Sequence, residues 1–278
     1  MPAHDPGPAF RQLHRPGAPF ILANVWDVGS ARLLAGMGAD ALATSSAAHA
    51  FTLGRPDMGH VSRDEALAHA ADLVAATKLP VSGDFENGFG DSPETCAETV
   101  RLAAEAGLAG ISIEDTALPA ETVYDFDLAV ERIRAAASAA RSLSRDFVLV
   151  ARADGVMNGQ YDMAEGLRRI RAFDAAGADC LYIPMPPSIN DLRSVIAATT
   201  KPVNALAAGE FTKLSRKDFA AMGVARISLG SALARITHRA IFDAASAMFE
   251  NGDFSPLGNG ISGGKVDELL LLGANSAQ

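Results

Sequence analysis

Helical and apolar segments alternate along this chain in a recurring pattern. In four places an alanine-rich helical stretch ends at a glycine and runs directly into a short apolar segment. Glycine readily adopts the left-handed conformation that ends a helix, and short apolar segments are typical of strands buried on both faces. These places are residues 33–46, 103–115, 172–184 and 219–230. The pattern therefore predicts helices that lead into buried strands.

The remaining apolar segments complete the pattern. Two of them, 78–85 and 200–206, have a lysine and a proline near their start, and proline ends a helix. Two more lie at 20–26 and 146–154. The whole pattern predicts eight strands, at 20–26, 41–46, 81–85, 110–114, 147–153, 180–184, 202–206 and 226–230.

The order of these elements predicts the fold class. Alternating strands and helices form parallel sheets with right-handed crossover connections. Eight such units within 278 residues match a (β/α)₈ TIM-type barrel, and a doubly wound open sheet is the alternative. We therefore predict one α/β barrel domain over residues 1–278, with a C-terminal helical extension at 232–278.

Composition narrows the choice of partners and compartment. The chain is 49% hydrophobic and 21% charged, which is typical of a folded domain with a large core. A net charge of −9 argues against nucleic-acid and anionic-membrane partners. The two cysteines, Cys96 and Cys180, form no CxxC pair, and we find no export signal or membrane-spanning run. These features predict a cytoplasmic protein.

Polar residues concentrate where the predicted strands end. In a barrel, the active site lies at the carboxyl ends of the strands. Asp84 and Glu86 follow the third strand, Glu114 ends the fourth, and Arg152 ends the fifth. Carboxylates without His or Cys favour Mg²⁺, with Mn²⁺ possible. Arg152 needs an anion, for which Glu114 and a substrate carboxylate are both open choices.

The second strand leads into a turn and a long connection. Ser45, Ser46 and Ala47 are small, so their backbone N–H groups can approach a carboxylate or a developing oxyanion. Residues 47–62 are longer than an ordinary connection, which predicts a lid. His49, Asp57 and His60 lie on this segment and are candidates for proton transfer.

Several of these motifs together resemble the isocitrate lyase and phosphoenolpyruvate mutase superfamily, over residues 20–250. They are Asn-x-Trp-Asp at 24–27, Ser-Ser-Ala at 45–47, Gly-Arg-Pro-Asp at 54–57, Asp-x-Glu-x-Gly-x-Gly at 84–90, Ile-Ser-Ile-Glu-Asp at 111–115, Val-Ala-Arg-Ala-Asp at 150–154, and Asn204. The resemblance implies a barrel enzyme that binds Mg²⁺ and a small 2-oxo or 2-hydroxy acid, and that works through a pyruvate-type enolate.

The resemblance also implies roles for residues. Asp84 would bind the metal directly, with Glu86 and Glu114 acting mainly through water. The substrate would be held by Ser45, Ser46, Ala47, Arg152 and Asn204. Asp57 would lie on a mobile gating loop. The family further implies a homotetramer in which C-terminal helices are exchanged between subunits.

One departure from the family leaves the reaction open. Residues 115–126 contain neither the cysteine-bearing loop of the lyases nor the lysine-bearing loop of the phosphonopyruvate enzymes. We predict carbon–carbon bond cleavage or formation; the alternatives are phosphonate mutase or P–C hydrolase chemistry and a binding protein with little activity. The proton donor would be His49, Asp57, Glu121, Tyr124 or a metal-bound water.

Overall fold

A computed structural model describes residues 5–120 and 122–275, so Glu121 lies outside the described residues. Its main sheet has eight parallel strands. They are β1 (Phe20–Asn24), β2 (Ala41–Ala43), β3 (Val81–Asp84), β4 (Gly110–Glu114), β5 (Val148–Arg152), β6 (Cys180–Tyr182), β7 (Asn204–Leu206) and β8 (Arg226–Ser228).

The strands close into a barrel. Neighbouring strands pair in the order β6, β5, β4, β3, β2, β1, β8, β7, and a parallel bridge from Leu181 in β6 to Val203, just before β7, joins the two edges. This closure confirms the predicted TIM-type barrel and excludes the open sheet. A short hairpin, Thr116–Ala117 paired with Thr122–Val123, follows β4.

Helices surround the barrel and continue beyond it. They are α1 (Gly7–Leu13), α2 (Val28–Gly36), α3 (Ser46–Thr52), α4 (Arg63–Ala76), α5 (Pro93–Glu105), α6 (Phe126–Ser142), α7 (Met163–Ala176), α8 (Ile189–Ala197), α9 (Arg216–Met222), α10 (Ala232–Asn251) and α11 (Gly263–Asn275). The predicted glycine endings are present where the conformation requires them, since Gly177 (φ 105°) and Gly223 (φ 95°) end α7 and α9 in the left-handed region.

Two apolar layers hold the barrel. The outer layer lies between strands and helices and includes Ile111, Leu149 and Leu181. The inner layer fills the barrel with small and medium residues, among them Ala41, Ala43, Ala109, Leu22, Val148 and Val150. Phe10 of α1 belongs to the inner layer and is fully buried, so α1 contributes to the packing inside the barrel.

Some boundaries differ from the sequence prediction. The strand predicted at 41–46 ends at Ala43, and the predicted loop 47–62 begins inside α3. Asn204, expected at a strand end, is instead the first residue of β7. The pairing of β7 with β8 starts only at Asn204, two residues after the helix-ending Pro202.

The C-terminal helices differ in what covers them. Helix α11 packs on α2 of the same chain, and a Cβ atom at Gly36 or Gly273 would overlap the backbone of the other helix. Helix α10 buries only Ala234. Exchange of these helices between subunits is not shown by a single chain and stays a prediction. Within the described ranges no helix is long and apolar enough to cross a membrane.

Candidate active site

A cavity of about 170 Å³ opens at the carboxyl ends of the strands. It is lined by several of the residues that the sequence predicted for the site: Ser45, Ser46, Ala47, Asp57, Asp84 and Arg152. Further lining residues that the prediction did not select include Tyr182, Arg226 and Ser228. The position at this end of the barrel is the one that the fold favours for catalysis.

Asp84 is the best-fixed carboxylate of the cavity. Its Oδ2 accepts hydrogen bonds from the backbone N–H and the hydroxyl of Ser46, each at 3.0 Å. Its Oδ1 accepts a hydrogen bond from Arg152 Nη1 at 2.8 Å. Its own backbone N–H donates to Thr44 Oγ1 at 2.7 Å. These contacts hold the carboxylate in one orientation toward the cavity.

The start of α3 explains why Ser46 can reach Asp84. Ser45 is the N-cap of this helix, and its side chain accepts a hydrogen bond from the backbone N–H of Ala48 at 3.3 Å. The first N–H groups of a helix have no intrahelical acceptor, so the N–H of Ser46 is available for Asp84. The small residues at 45–47 thus form a helix start whose N–H groups face the cavity wall.

Arg152, at the end of β5, is surrounded by carboxylates. Beyond Asp84, its guanidinium donates to Asp154 at 2.6 and 3.1 Å and lies 3.2 Å from Glu114. Burial alone would lower the pKa of Arg152, but the charges of Asp154, Glu114 and Asp84 hold it well above its usual value. Arg152 forms the ion pair with Glu114 that the sequence offered as one choice, and it also lines the cavity. Its pairing with Glu114 is therefore compatible with the other choice, contact with a substrate carboxylate.

The carboxylates around Arg152 outnumber its charge. Burial and the charge of Asp154 raise the pKa of Glu114 well above its usual value. Burial also raises the pKa of Asp154 to about 6, although Arg152 opposes this shift. One guanidinium therefore does not neutralise three nearby carboxyl groups. Binding of a proton or of a further cation would stabilise the cluster.

Glu86 connects the loop after α3 to the barrel. Its backbone has a positive φ of 46°, and its Oε1 accepts a hydrogen bond from the backbone N–H of Gly59 at 3.0 Å. Burial, and then the charges of Asp84 and Asp57, raise the pKa of Glu86 to about 7. Burial and the charge of Asp84 likewise raise the pKa of Asp57. The predicted gating loop thus brings Asp57, whose pKa is also raised, to the cavity.

These carboxylates fit a hard divalent cation held partly through water. In the described part of the chain, no group of three or more His, Cys, Asp or Glu residues is arranged to hold a metal ion by itself. Asp57, Asp84, Glu86 and Glu114 are nevertheless close enough for their charges to interact. Mg²⁺ keeps several of its waters and takes only one or two carboxylates directly. The chemistry of this oxygen-rich set therefore fits Mg²⁺.

Other predicted residues lie away from the cavity. The ring of His49 in α3 stacks on His69, with ring centroids 3.8 Å apart, and burial lowers the pKa of His49 to about 4. His60 is exposed, and the hydroxyl of Tyr124 donates to Asp91. Asn204 is fully buried below the cavity, where it donates to Ser228 Oγ at 2.9 Å.

The lining residues missed by the sequence reasoning include Tyr182, Arg226 and Ser228. Tyr182 ends β6, while Arg226 and Ser228 belong to β8. Arg152 stands over the Tyr182 ring, 5.5 Å from its centroid. The available signal was a spacing of two between Arg226 and Ser228, which places both side chains on one face of a strand.

Comparison with known proteins shows to which family the chain belongs. Residues 10–249 match the family model for phosphoenolpyruvate phosphomutase. The chain belongs to the phosphoenolpyruvate phosphomutase family. The predicted resemblance to the isocitrate lyase and phosphoenolpyruvate mutase superfamily is thereby confirmed, and lyases and mutases are its homologues.

Three relatives of this family member show the range of similarity. A solved structure from Burkholderia cenocepacia J2315, provisionally assigned as a lyase or mutase, is 46% identical, with a TM-score of 0.90 and 94% of each chain covered. The oxaloacetate decarboxylase of Chromohalobacter salexigens is 28% identical over 89% of this chain and 84% of its own length. The 2-methylisocitrate lyase of Escherichia coli K12 is 32% identical over 69% of this chain and 65% of its own length.

Proposed function

We propose that this phosphomutase-family chain is a Mg²⁺-dependent enzyme that cleaves or forms a carbon–carbon bond in a small 2-oxo or 2-hydroxy dicarboxylic acid. The reaction would pass through a pyruvate-type enolate. One observation carries the proposal: Asp84 faces the cavity between the start of α3 and Arg152, so anion-stabilising donors and an oxygen ligand converge at one place. The oxaloacetate decarboxylase and 2-methylisocitrate lyase relatives support this choice.

The residues of this site are suited to enolate chemistry. When the bond between the α and β carbons of a carbonyl group breaks, its electron pair forms a double bond between the α carbon and the carbonyl carbon. The π pair of the carbonyl passes to the oxygen, which gives an enolate. Arg152 lines the cavity where such an oxygen would lie, and so do Ser46 and Ala47 at the first turn of α3. The N–H of Ser46 is already donated to Asp84, so the N–H of Ala47 is the first-turn donor that would serve this oxygen. A bound Mg²⁺ would add its positive charge to the stabilisation of that oxygen. Ser45 orients the helix start that presents these N–H groups.

The new methyl carbon of a pyruvate enolate must take up a proton, and we assign its delivery to Asp57. Asp57 lines the cavity, and its raised pKa favours the protonated form that can donate. The loop that carries it is fastened by the hydrogen bond between Gly59 and Glu86. Asp57→Asn should lower kcat/KM about 100-fold or more. An Asp57→Asn variant with unchanged kcat/KM would move this role elsewhere.

A substrate panel tests the reaction itself. The protein is incubated with Mg²⁺ and oxaloacetate, 2-methylisocitrate, isocitrate, 2,3-dimethylmalate or phosphonopyruvate. The products measured are pyruvate, glyoxylate, phosphate and phosphoenolpyruvate. Turnover of a carboxylic acid with pyruvate or glyoxylate release supports the proposal. Phosphate or phosphoenolpyruvate from phosphonopyruvate would favour phosphorus chemistry, which the family model supports. No turnover, combined with thermal stabilisation by 2-oxo acids, would indicate a binding protein.

The metal assignment has its own test. Asp84→Asn keeps the shape of the side chain and removes the charge, so we expect Mg²⁺-dependent ligand binding to be lost in calorimetry. Asp64→Asn, at the exposed first turn of α4, is the matched control and should bind as the unaltered protein does. Unchanged Mg²⁺ dependence in the Asp84 variant would refute the assignment.

We also propose a homotetramer in the cytoplasm, with α10 and α11 at the contacts between subunits. The support is the number of large apolar side chains that these helices and their connection expose: Ile236, Ile241, Phe242, Phe249, Phe254, Leu257, Ile261, Leu271 and Leu272. Exposed apolar patches of this kind mark association surfaces. Size-exclusion chromatography with light scattering should give four chains per particle, and Phe249→Lys should lower that number.

A further inference from the structure

Arg226 is a buried cation whose hydrogen bonding is incomplete. It begins β8, and only 4% of the residue is exposed. Its Nε donates to Asn204 Oδ1 at 3.0 Å, whereas its buried Nη1 has no hydrogen-bond partner among the described residues. Burial lowers the pKa of Arg226 below its usual value. A guanidinium removed from water normally requires an anion and a full set of acceptors.

The surroundings of Arg226 do not supply that anion. Asp84 acts on it through space, but the Asp84 carboxylate already accepts hydrogen bonds from Arg152 and Ser46. Burial, and then the charge of Arg226, lower the pKa of the neighbouring His14 to about 3, so this ring is neutral. Its Nε2 is likewise buried and lacks a partner among the described residues. The positive charge of Arg226 is therefore poorly compensated within the protein.

The substrate cavity extends to this cation. Arg226 lines the same cavity as Asp84 and Arg152. The register pairs Arg226 with Phe20 and Asn204, the first residues of β1 and β7, so it stands at the opposite end of the strands from the catalytic rim. Ser228 lies two residues further along β8 and lines the wall between them. The cavity thus has a carboxylate-rich rim and a cationic floor.

We infer that Arg226 forms an anion-binding subsite at the floor of the cavity and holds the second carboxylate of a dicarboxylic substrate whose reacting end lies at the rim. The inference rests on the proposed function, because it requires a 2-oxo or 2-hydroxy acid at Asp84 and Arg152. A guanidinium binds a carboxylate through paired hydrogen bonds. The subsite would therefore make the enzyme prefer acids with a second carboxylate over acids that end in a methyl group.

Calorimetry with two stable 2-hydroxy acids tests the subsite. Lactate and malate differ by one carboxylate, so lactate affinity reports the rim and the malate-to-lactate ratio reports the floor. We expect the unaltered protein with Mg²⁺ to prefer malate by about tenfold or more, the range of one charge-assisted hydrogen bond. Arg226→Gln should remove this preference and leave lactate affinity within about twofold, and Arg226→Lys should restore part of it.

The outcomes separate the inference from the proposed function. Binding of lactate without a preference for malate, or a preference that survives Arg226→Gln, overturns the inference and leaves the proposed rim chemistry standing. Binding of neither acid overturns both. Arg171→Gln, which removes an exposed arginine on α7, is the matched control and should keep the malate preference.

A crystal structure with malate needs no variant and covers the case in which Arg226→Gln does not fold. A malate carboxylate within hydrogen-bond distance of the Arg226 guanidinium supports the subsite. A water at that position, with both malate carboxylates at the rim, overturns it.

Discussion

The rim and the floor of the cavity each hold an arginine that is largely removed from solvent, but the charges of the two are compensated very differently. Arg152 at the rim has carboxylate partners at 2.6, 2.8 and 3.2 Å. Arg226 at the floor has a hydrogen bond to the amide of Asn204. The rim is therefore electrostatically satisfied by the protein, with negative charge to spare for a cation. The positive charge at the floor is compensated only when an anion binds. We therefore expect an anionic group of the ligand to contribute most to the binding free energy at the floor.

The same substitution at both arginines tests this contrast most strongly. Arg152→Met leaves Asp84, Glu114 and Asp154 without their cation, and we expect the free energy of unfolding to fall by about 3–5 kcal/mol. Arg226→Met removes a desolvated charge but also the hydrogen bond to Asn204, so the change should stay within about 1 kcal/mol. Urea denaturation at pH 7 without ligand measures both.

The pH dependence of these variants adds a check. The loss caused by Arg152→Met should shrink as the pH falls, because protonation neutralises the carboxylates that have lost their cation. Equal losses for the two methionine variants would mean that the floor is compensated as well as the rim, and the contrast would fail.

A smaller effect should come from Glu86, at the edge of the rim. Its pKa is raised from 4.5 to about 7 in the folded protein. The stability from this group is therefore fully present below pH 4.5 and is lost as the pH rises through about 7, by at most about 3 kcal/mol. Glu86→Gln should flatten that part of the stability curve. Glu98→Gln, at an exposed pair on α5, should retain the slope of the unaltered protein.

The smallest effect is expected at His49, which the sequence proposed for catalysis. Its ring stacks on His69 and lies outside the cavity lining. Because it does not face the substrate, His49→Gln should change kcat/KM by less than about threefold, well below the effect expected for a general acid or base. A tenfold loss in steady-state kinetics with unchanged thermal stability would restore the catalytic role.

Much of the architecture could be predicted from the sequence because each unit carries its own local signals. Glycines at the ends of α7 and α9 take the left-handed conformation, and the apolar runs after them become β6 and β8. Capping at Ser45 begins α3 and shortens β2, which an apolar run followed by small residues does not reveal. The barrel was therefore predictable, while the boundaries of the turn after β2 were not.

The floor could not be predicted, for a different physical reason. The spacing of Arg226 and Ser228 places both on one face of β8, but both faces of a barrel strand are buried, so the sequence does not show which face points into the barrel. Arg226 and Asn204 could each have been assigned to either side of their strands. Their hydrogen bond joins β8 to β7, residues 22 positions apart, and only the closed barrel brings them together.

The alanines inside the barrel set how far a ligand can reach. Ala41, Ala43 and Ala109 belong to the inner layer, and Ala43 lines the cavity. A larger side chain there would shorten the space between rim and floor without touching a charged group. Under the proposed function, substrate length and reaction type would thus be set by separate residues. Descendants of this sequence could change substrate length through small changes of side-chain volume in the strands and keep the reaction type. The two properties could then evolve independently in one fold.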